Sequence, residues 1–342
     1  MSVKLSAGGH VAIDEAWLAK NHEPILEPEL PIIDPHHHIW DRGGETYLLP
    51  NLLADTSTGH DIRATVFIQC ASMYDEAEEP ARRSLGETRF MTDVAKVAET
   101  EKTRACAGIV GLVDLMLGDR VKPLLEEHVA VSGGRFKGVR NRTAWDASPR
   151  VRSNLEVPPP GPLNSPAFAE GAKRLGELGL MLDVWAYHPQ LPLVLEVARA
   201  APGTTIIIDH CGGQLGVGPY AGKDAEVFAD WRRSMAALAA LPNVLVKLGG
   251  LAMEVSGKQW HTRDLPPTSE ELAADWRPQI ETCIELFGVD RCMYESNFPV
   301  DKGMCGYAAL WNAFKRLSAG ASADEKTALF SGTAARVYRL TV

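Results

Sequence analysis

The sequence predicts an α/β protein whose eight parallel strands close into one (β/α)8 TIM barrel, with an N-terminal extension and inserted loops. Short apolar runs rich in β-branched residues recur eight times, and helical patterns lie between them. Strands that alternate with helices are typical of parallel sheets rather than of sandwiches. Polar residues follow several of the runs, as in barrels that carry their sites at the strand ends. A doubly wound open sheet is the alternative.

The length of the chain is compatible with this single barrel. A chain of 342 residues, 45% of them hydrophobic, could form two ordinary domains. An α/β barrel, however, commonly uses about 250 residues or more as one unit. The first residues show little periodicity, so we predict an extension over residues 1–29 that wraps the outside of a barrel over 30–342.

Eight strands are predicted, each of the short length expected of buried strands. They cover residues 30–34, 64–70, 105–112, 136–140, 180–184, 205–209, 244–248 and 292–295. Helix starts are indicated by Ser165 before Pro166, and by the capping-box spacings of Thr268 with Glu271 and of Ser322 with Glu325. Two long connections, 143–162 and 249–267, are where substrate contacts are expected.

Charge and cysteine content limit the classes of partner. The net charge of -9 and the absence of a Lys/Arg run argue against nucleic acid as a partner. Six scattered cysteines form no C-x-x-C pair, and no secretory segment precedes them, so we expect reduced thiols in a cytoplasmic protein. No apolar run reaches the roughly 20 residues of a membrane span. A homo-oligomer is possible, because barrels of this size often pair through their outer helices.

The first strand ends in a cluster of histidines, in the segment IIDPHHHIWD. Side chains two apart on a strand share a face, so His36 and His38 point together while His37 points away. Two neutral imidazoles on one face can chelate zinc or a similar ion, which lowers the pKa of bound water. A polar strand end without a ligand is the alternative interpretation.

Two further strand ends carry candidate catalytic groups. The segment TIIIDHCGG ends in His210, followed by glycines that allow a sharp turn. The segment RCMYESNFPVD places Glu295 and Asn297 on the same face, above Met293. Glu295 is a candidate general base or metal ligand. It could instead form a buried ion pair with Lys247 or Arg140.

Candidate substrate-binding residues follow the fourth and fifth strands. In FKGVRNRTAWD, Arg140 ends a strand, and a guanidinium there suits a substrate carboxylate or carbonyl. In DVWAYHPQLP, Trp185, Tyr187 and His188 could line a pocket wall or simply pack. The partner implied by these residues is a small molecule.

Taken in order, these segments and VKLGGL resemble the amidohydrolase-2 family of metal-dependent TIM-barrel hydrolases, from about residue 30 to the C-terminus. That family includes sugar lactonases and pyrone-dicarboxylate hydrolases. The resemblance implies that His36 and His38 are the first-strand histidine pair, that His210 is the sixth-strand histidine, and that a divalent metal, zinc first, is the cofactor. It also implies that Arg140 holds a carboxylate or carbonyl of the substrate.

The eighth strand departs from the family pattern, in which an aspartate activates the attacking water. Asn297 stands at that position, and an amide cannot take a proton from water. Glu295 or His210 is then expected to handle the proton. The leading hypothesis is hydrolysis of a lactone of a small carboxylated or sugar-derived compound. The alternatives are a metal-dependent non-oxidative decarboxylase and a small-molecule-binding barrel that has lost catalysis.

Overall fold

The computed structural model, which describes residues 10–153 and 157–341, contains one eight-stranded parallel sheet whose strands are neighbours in chain order. All eight predicted strands are confirmed, with ends displaced by a few residues. The strands are β1 (Pro31–His37), β2 (Asp61–Ile68), β3 (Arg104–Gly111), β4 (Phe136–Arg142), β5 (Met181–Trp185), β6 (Ile206–Ile208), β7 (Val244–Leu248) and β8 (Cys292–Tyr294).

The sheet closes between β1 and the residues that follow β8. The backbone N–H of Asn297 donates to His36 O at 2.9 Å, and that of His38 donates to Phe298 O at 2.7 Å. The buried carboxylate of Asp34 accepts bonds from the N–H and the hydroxyl of Ser296, at 3.0 and 2.5 Å. These bonds make the architecture a closed barrel and exclude the doubly wound open sheet.

Among the described residues, seven α-helices connect consecutive strands, one precedes β1 and three follow β8. They are α1 (Glu15–Leu18), α2 (Leu49–Thr56), α3 (Ser84–Val97), α4 (Val121–Val131), α5 (Pro166–Glu177), α6 (Leu191–Ala200), α7 (Asp224–Ala239), α8 (Ser269–Phe287), α9 (Tyr307–Leu317), α10 (Ala323–Thr327) and α11 (Thr333–Val337). The capping boxes before α8 and α10 form as predicted, whereas Ser165 precedes α5 without a side-chain cap bond. No helix of the described residues is long and apolar enough to cross a membrane.

The barrel interior has an apolar lower layer, and the charged residues of the site lie on the same strands beyond it. The lower layer includes Ile33, Val66, Met181, Ile207 and Met293, all at most 3% exposed. A second and larger core fills the space between the strands and the surrounding helices. The polar groups at the upper end of the strands are therefore supported by strands that are packed in apolar cores.

Residues 10–29 contact the outside of the barrel. The Trp17 indole donates to Arg263 O at 2.9 Å, and the Asn21 amide donates to Pro267 O at 2.9 Å. The backbone N–H of Leu26 donates to Asn312 Oδ1 on α9. The division at residues 29 and 30 stays a prediction. After β1 the chain forms a short hairpin of Trp40–Asp41 with Thr46–Tyr47, and the six cysteines are all free thiols.

Candidate active site

A cavity of about 320 Å³ opens at the carboxyl ends of the barrel strands. Its wall includes residues that follow six of the strands or lie near their carboxyl ends. They are His38 after β1, Gln69 and Cys70 after β2, Arg140 on β4, Trp185 on β5, His210 after β6 and Asn297 after β8. The strand-end positions identified in the sequence therefore converge on one space, as in barrel enzymes generally.

The histidines of the first strand lie at an irregularity in the pairing of β1. The pairing of β1 with β2 shifts register between Asp34 and His37. His36 is fully buried, and the His38 Nδ1 hydrogen bonds to Ile68 O at 2.9 Å. His37 instead meets the Thr65 hydroxyl at 2.7 Å. Burial holds the pKa of both His36 and His38 below its usual range, which favours the neutral imidazoles.

Glu295 joins two of the candidate histidines. One carboxylate oxygen lies 2.7 Å from His210 Nδ1 and 3.0 Å from the His210 backbone nitrogen. The other oxygen lies 2.7 Å from His36 Nδ1. Burial alone would raise the pKa of Glu295, but the two imidazoles outweigh it and hold that pKa below its usual range. Glu295 is therefore an acceptor that fixes both rings.

Lys247 does not form the direct ion pair with Glu295 considered above. Its ammonium, fully buried on β7, lies 2.5 Å from Asp183 Oδ2 and 3.3 Å from Asp209 Oδ1. Burial raises the pKa of Asp183 to about 6, and the nearby Lys247 opposes that shift. Asp209 keeps its pKa well below the usual range because Lys247 and His36 together outweigh its burial. These charges form a compact buried network.

Arg140 lies between this network and the cavity. Its guanidinium donates to the backbone carbonyl of Gln69, and Nη1 lies 3.3 Å from His36 Nε2. Nη1 is also 3.5 Å from Asp209 Oδ2. The side chain is 11% exposed and lines the cavity, so its positive charge is available to a bound molecule.

Of the three residues predicted after β5, only Trp185 reaches the cavity wall. Its ring packs edge-on against His210, with centroids 4.6 Å apart. Tyr187 hydrogen bonds to Ser153 at 2.8 Å, and His188 Nδ1 accepts from the Leu215 backbone. Both lie behind the wall, so they can influence the cavity only through the residues in front of them.

Two of the candidate catalytic residues have a strained backbone. His210, Cys211 and Asn297 have φ values of 55°, 51° and 54° in the left-handed region, which is uncommon for residues other than glycine. The Asn297 amide donates to Asp301 Oδ1 at 2.8 Å. Burial raises the pKa of Asp301 to about 7. Asp301 was not identified from the sequence, since a lone acid four residues after Asn297 gave no pattern.

Gly250, on the loop after β7, packs directly beneath His210. It has φ +62°, and a Cβ built on it would overlap the imidazole ring. We expect Gly250→Ala to displace His210, to lower kcat/KM by at least about tenfold, and to reduce stability by about 2 to 4 kcal/mol. Gly222 (φ +72°) is the matched control, because a Cβ there would meet nothing within 4 Å.

Gly222→Ala should destabilise the fold by only about 1 to 2 kcal/mol and leave activity intact. Thermal unfolding and steady-state kinetics on both variants separate the two effects. Equal losses of activity in both variants would contradict the assigned contact.

Three donor residues could hold a metal ion. One ligand atom from each of His36, Asp209 and His210 lies within 4.8 Å of the others, whereas His38 is not part of this group. The chemistry of this set fits a divalent ion. Glu295 engages the Nδ1 of both histidines, as carboxylates do behind metal-bound histidines. Neither Asp209 oxygen has a hydrogen bond among the described residues. Arg140 competes for His36 Nε2.

Residues 33–340 match the family model described as Amidohydrolase. The chain belongs to this amidohydrolase family. An uncharacterized protein of Sinorhizobium fredii, y4mH, is 33% identical over 91% of this chain and 99% of its own length. An L-fucono-1,5-lactonase of Burkholderia multivorans is 28% identical over 90% of this chain and 96% of its own.

Solved amidohydrolase structures share the fold. A Burkholderia multivorans amidohydrolase with bound HEPES superimposes with a TM-score of 0.68 at 25% identity, covering 91% of this chain and 99% of the other. A second crystal form with bound zinc has the same TM-score at 24% identity and the same coverage. The family and these relatives support a hydrolase.

Beneath the cavity wall, the loop after β2 rests on a buried acid of α3, Glu87. One Glu87 oxygen accepts from the backbone N–H groups of Cys70 and Ser72, at 3.1 and 3.0 Å, while the other has no hydrogen bond among the described residues. Burial raises the pKa of Glu87 to about 7 from 4.5. The folded protein therefore holds a proton here more tightly than the unfolded chain does.

It follows that Glu87 favours the folded state below about pH 5 and that this contribution is lost as the pH rises through about 7. A neutral Glu87→Gln side chain keeps the accepting oxygen. We expect the free energy of unfolding of this variant to exceed that of wild type by about 1 to 3 kcal/mol at pH 8, with little difference at pH 5. The variant should therefore unfold at a higher urea concentration at pH 8. Urea titrations at both pH values, with the exposed Glu101→Gln as control, check this. An unchanged pH slope would contradict it.

Proposed function

We propose that this protein is a lactonase, which opens a cyclic ester of a small molecule by attack of water on the carbonyl. The observation that carries the proposal is the Glu295–His210 contact of 2.7 Å at the cavity wall, with the Arg140 guanidinium on the same cavity. A base and an electrophilic group facing one space are what water attack on a carbonyl requires.

His210 acts as the base. Because Glu295 accepts the proton on Nδ1, the Nε2 atom is the unprotonated nitrogen and can remove a proton from water. The carboxylate then stabilises the imidazolium that forms. Glu295 is fully buried and does not line the cavity, so it acts as a positioning residue rather than as the base.

Arg140 stabilises the negative charge that develops on the carbonyl oxygen, since its guanidinium is fixed and partly desolvated. When the ring C–O bond breaks, His210 returns its proton to the alkoxide and a hydroxy acid results. Asn297, which cannot accept a proton, hydrogen bonds to the water or the substrate, with its amide oriented by Asp301. Trp185 covers the imidazole from one side.

A divalent ion, zinc first, would be held by His36, His210 and Asp209, whereas His38, predicted as a ligand from the sequence, lies outside this group. Because Glu295 engages Nδ1 of His210, only Nε2 is left to bind the ion, so His210 would be a ligand rather than the base in the metal-bound protein. When bound, the ion would lower the pKa of water and polarise the carbonyl. The N and O donor set suits zinc. The zinc-bound relative supports the choice of metal.

The L-fucono-1,5-lactonase relatives support the substrate class, a lactone of a small polar acid. A panel of sugar-derived and carboxylated lactones, followed by proton release with a pH indicator, tests the proposal. Hydrolysis of at least one lactone above the spontaneous rate is expected. Carbon dioxide release from aromatic acids with no lactone turnover would instead establish a decarboxylase. Binding without turnover of either class would establish a binding protein.

Metal content tests the ligand assignment separately. Plasma mass spectrometry on the purified protein is expected to find about one divalent ion per chain, lost in the double variant His36→Ala, His38→Ala. A metal-free wild type that hydrolyses lactones would remove the metal from the proposal and leave Arg140 as the electrophile. Metal retained in the double variant would move the ligand site elsewhere.

A further inference from the structure

The cavity is strongly cationic for a protein of net charge -9. Three guanidiniums line it, those of Arg42, Arg140 and Arg142, and no aspartate or glutamate of the described residues does. Arg140 has an acidic neighbour, Asp209 Oδ2 at 3.5 Å, whereas the contacts of the Arg42 guanidinium among the described residues are with the Cys70 carbonyl and the Trp40 ring. A positive charge left without an acidic partner beside a cavity is available to an anionic ligand.

Arg42 is held in place by two contacts. Its guanidinium lies 4.2 Å from the centre of the Trp40 ring, and Nη2 donates to Cys70 O at 2.5 Å. A stacked guanidinium with one donor used retains further N–H groups for a ligand. It is therefore fixed before a ligand arrives, which reduces the entropy lost on binding.

Arg42 and Arg140 are anchored by consecutive carbonyls of one loop. Arg140 donates to Gln69 O, and Arg42 donates to Cys70 O. Both side chains line the same cavity, Arg140 from β4 and Arg42 from the turn of the hairpin after β1.

That loop is itself rigidly supported. Ala71 and Met73 both have φ of 58°, and the Glu87 carboxyl accepts from the backbone on either side of Ala71. Non-glycine residues persist in this conformation only where the surroundings enforce it. The two carbonyls that anchor the guanidiniums are therefore held in fixed positions.

We propose that Arg42 is a specificity-determining residue that binds a carboxylate of the substrate, apart from the carbonyl that Arg140 polarises and that water, deprotonated by His210, attacks. This inference rests on the proposed function and selects, from its two substrate classes, the carboxylated lactones over the neutral sugar lactones. A neutral lactone would leave the Arg42 guanidinium without a counter-charge, whereas a carboxylate can form a bidentate pair with it.

The test compares two substrates that differ only in charge: 5-oxotetrahydrofuran-2-carboxylate and its carboxamide. For Arg42→Gln we expect kcat/KM on the carboxylate to fall by about 10- to 100-fold, mainly through KM, and that on the carboxamide to change less than about twofold. Arg42→Lys should recover part of the loss. Equal losses on both substrates, or none on either, would overturn the proposal.

Arg233→Gln is the matched control, because this exposed arginine on α7 changes the net charge equally and lies outside the cavity. If wild type opens neither lactone, the proposed function fails for this ring, and calorimetry with glutarate and glutaramide tests the anion site alone. Glutarate binding weakened at least tenfold in Arg42→Gln, with glutaramide unchanged, supports the site. Equal binding of glutarate to wild type and Arg42→Gln overturns it.

Discussion

Replacing His210 with asparagine is expected to lower kcat/KM on the best lactone by about 10²- to 10⁴-fold, the range lost with a general base. The asparagine amide can still donate to Glu295, so the carboxylate keeps a partner while the base nitrogen is removed. Circular dichroism should show an unchanged fold. In steady-state kinetics across pH 5 to 9, kcat/KM of the variant should no longer follow the ionisation of a general base.

Glu295→Gln is the companion variant for this experiment. The amide is the same size but offers N–H donors to an imidazole nitrogen that now must accept, so His210 takes the wrong tautomer. We expect a loss of similar order with substrate binding intact, because Glu295 does not line the cavity. If His210→Asn kept more than about a tenth of the activity while Glu295→Gln abolished it, the base would lie elsewhere.

The largest loss of stability is expected from Lys247→Met. This change leaves the carboxylates of Asp183 and Asp209 buried without their main counter-charge. Removing one partner of a buried ion pair typically destabilises a protein by about 3 to 5 kcal/mol. Urea unfolding at pH 7 measures the loss.

Two further variants make the Lys247 result specific. Adding Asp183→Asn to Lys247→Met should restore part of the stability, since one of the unpaired charges is then gone. Lys96→Met, which breaks an exposed pair with Asp93 on α3, should change stability by less than about 1 kcal/mol. Similar losses from Lys247→Met and Lys96→Met would show that the buried network contributes little.

Strand positions and two helix caps could be predicted because they depend on neighbours in sequence. The histidines at the ends of β1 and β6 were identifiable for the same reason, since each directly follows an apolar run. The partners of Glu295 were not, because His36 and His210 meet it only when β1, β6 and β8 are brought together. Sequence distance conceals such contacts.

Other parts of the site depended on local irregularity that residue patterns do not reveal. The register shift in β1 between Asp34 and His37 is one such irregularity. Tyr187 lies behind Trp185 although a regular strand would have placed the two on the same face. Arg42 lies in the turn of a short hairpin rather than at the end of a barrel strand, so no pattern marked it as a cavity residue.

The seam where the barrel closes, between β1 and the residues after β8, affects how the protein folds during synthesis. Its partners are separated by about 260 positions, as in the bond from Ser296 to Asp34. During synthesis, β1 leaves the ribosome before the other barrel strands. Its neighbour across the seam, β8, emerges only after most of the chain has been made. His36 cannot meet Glu295 until then, so a nascent chain that stops before β8 should have most of its secondary structure but no assembled catalytic centre.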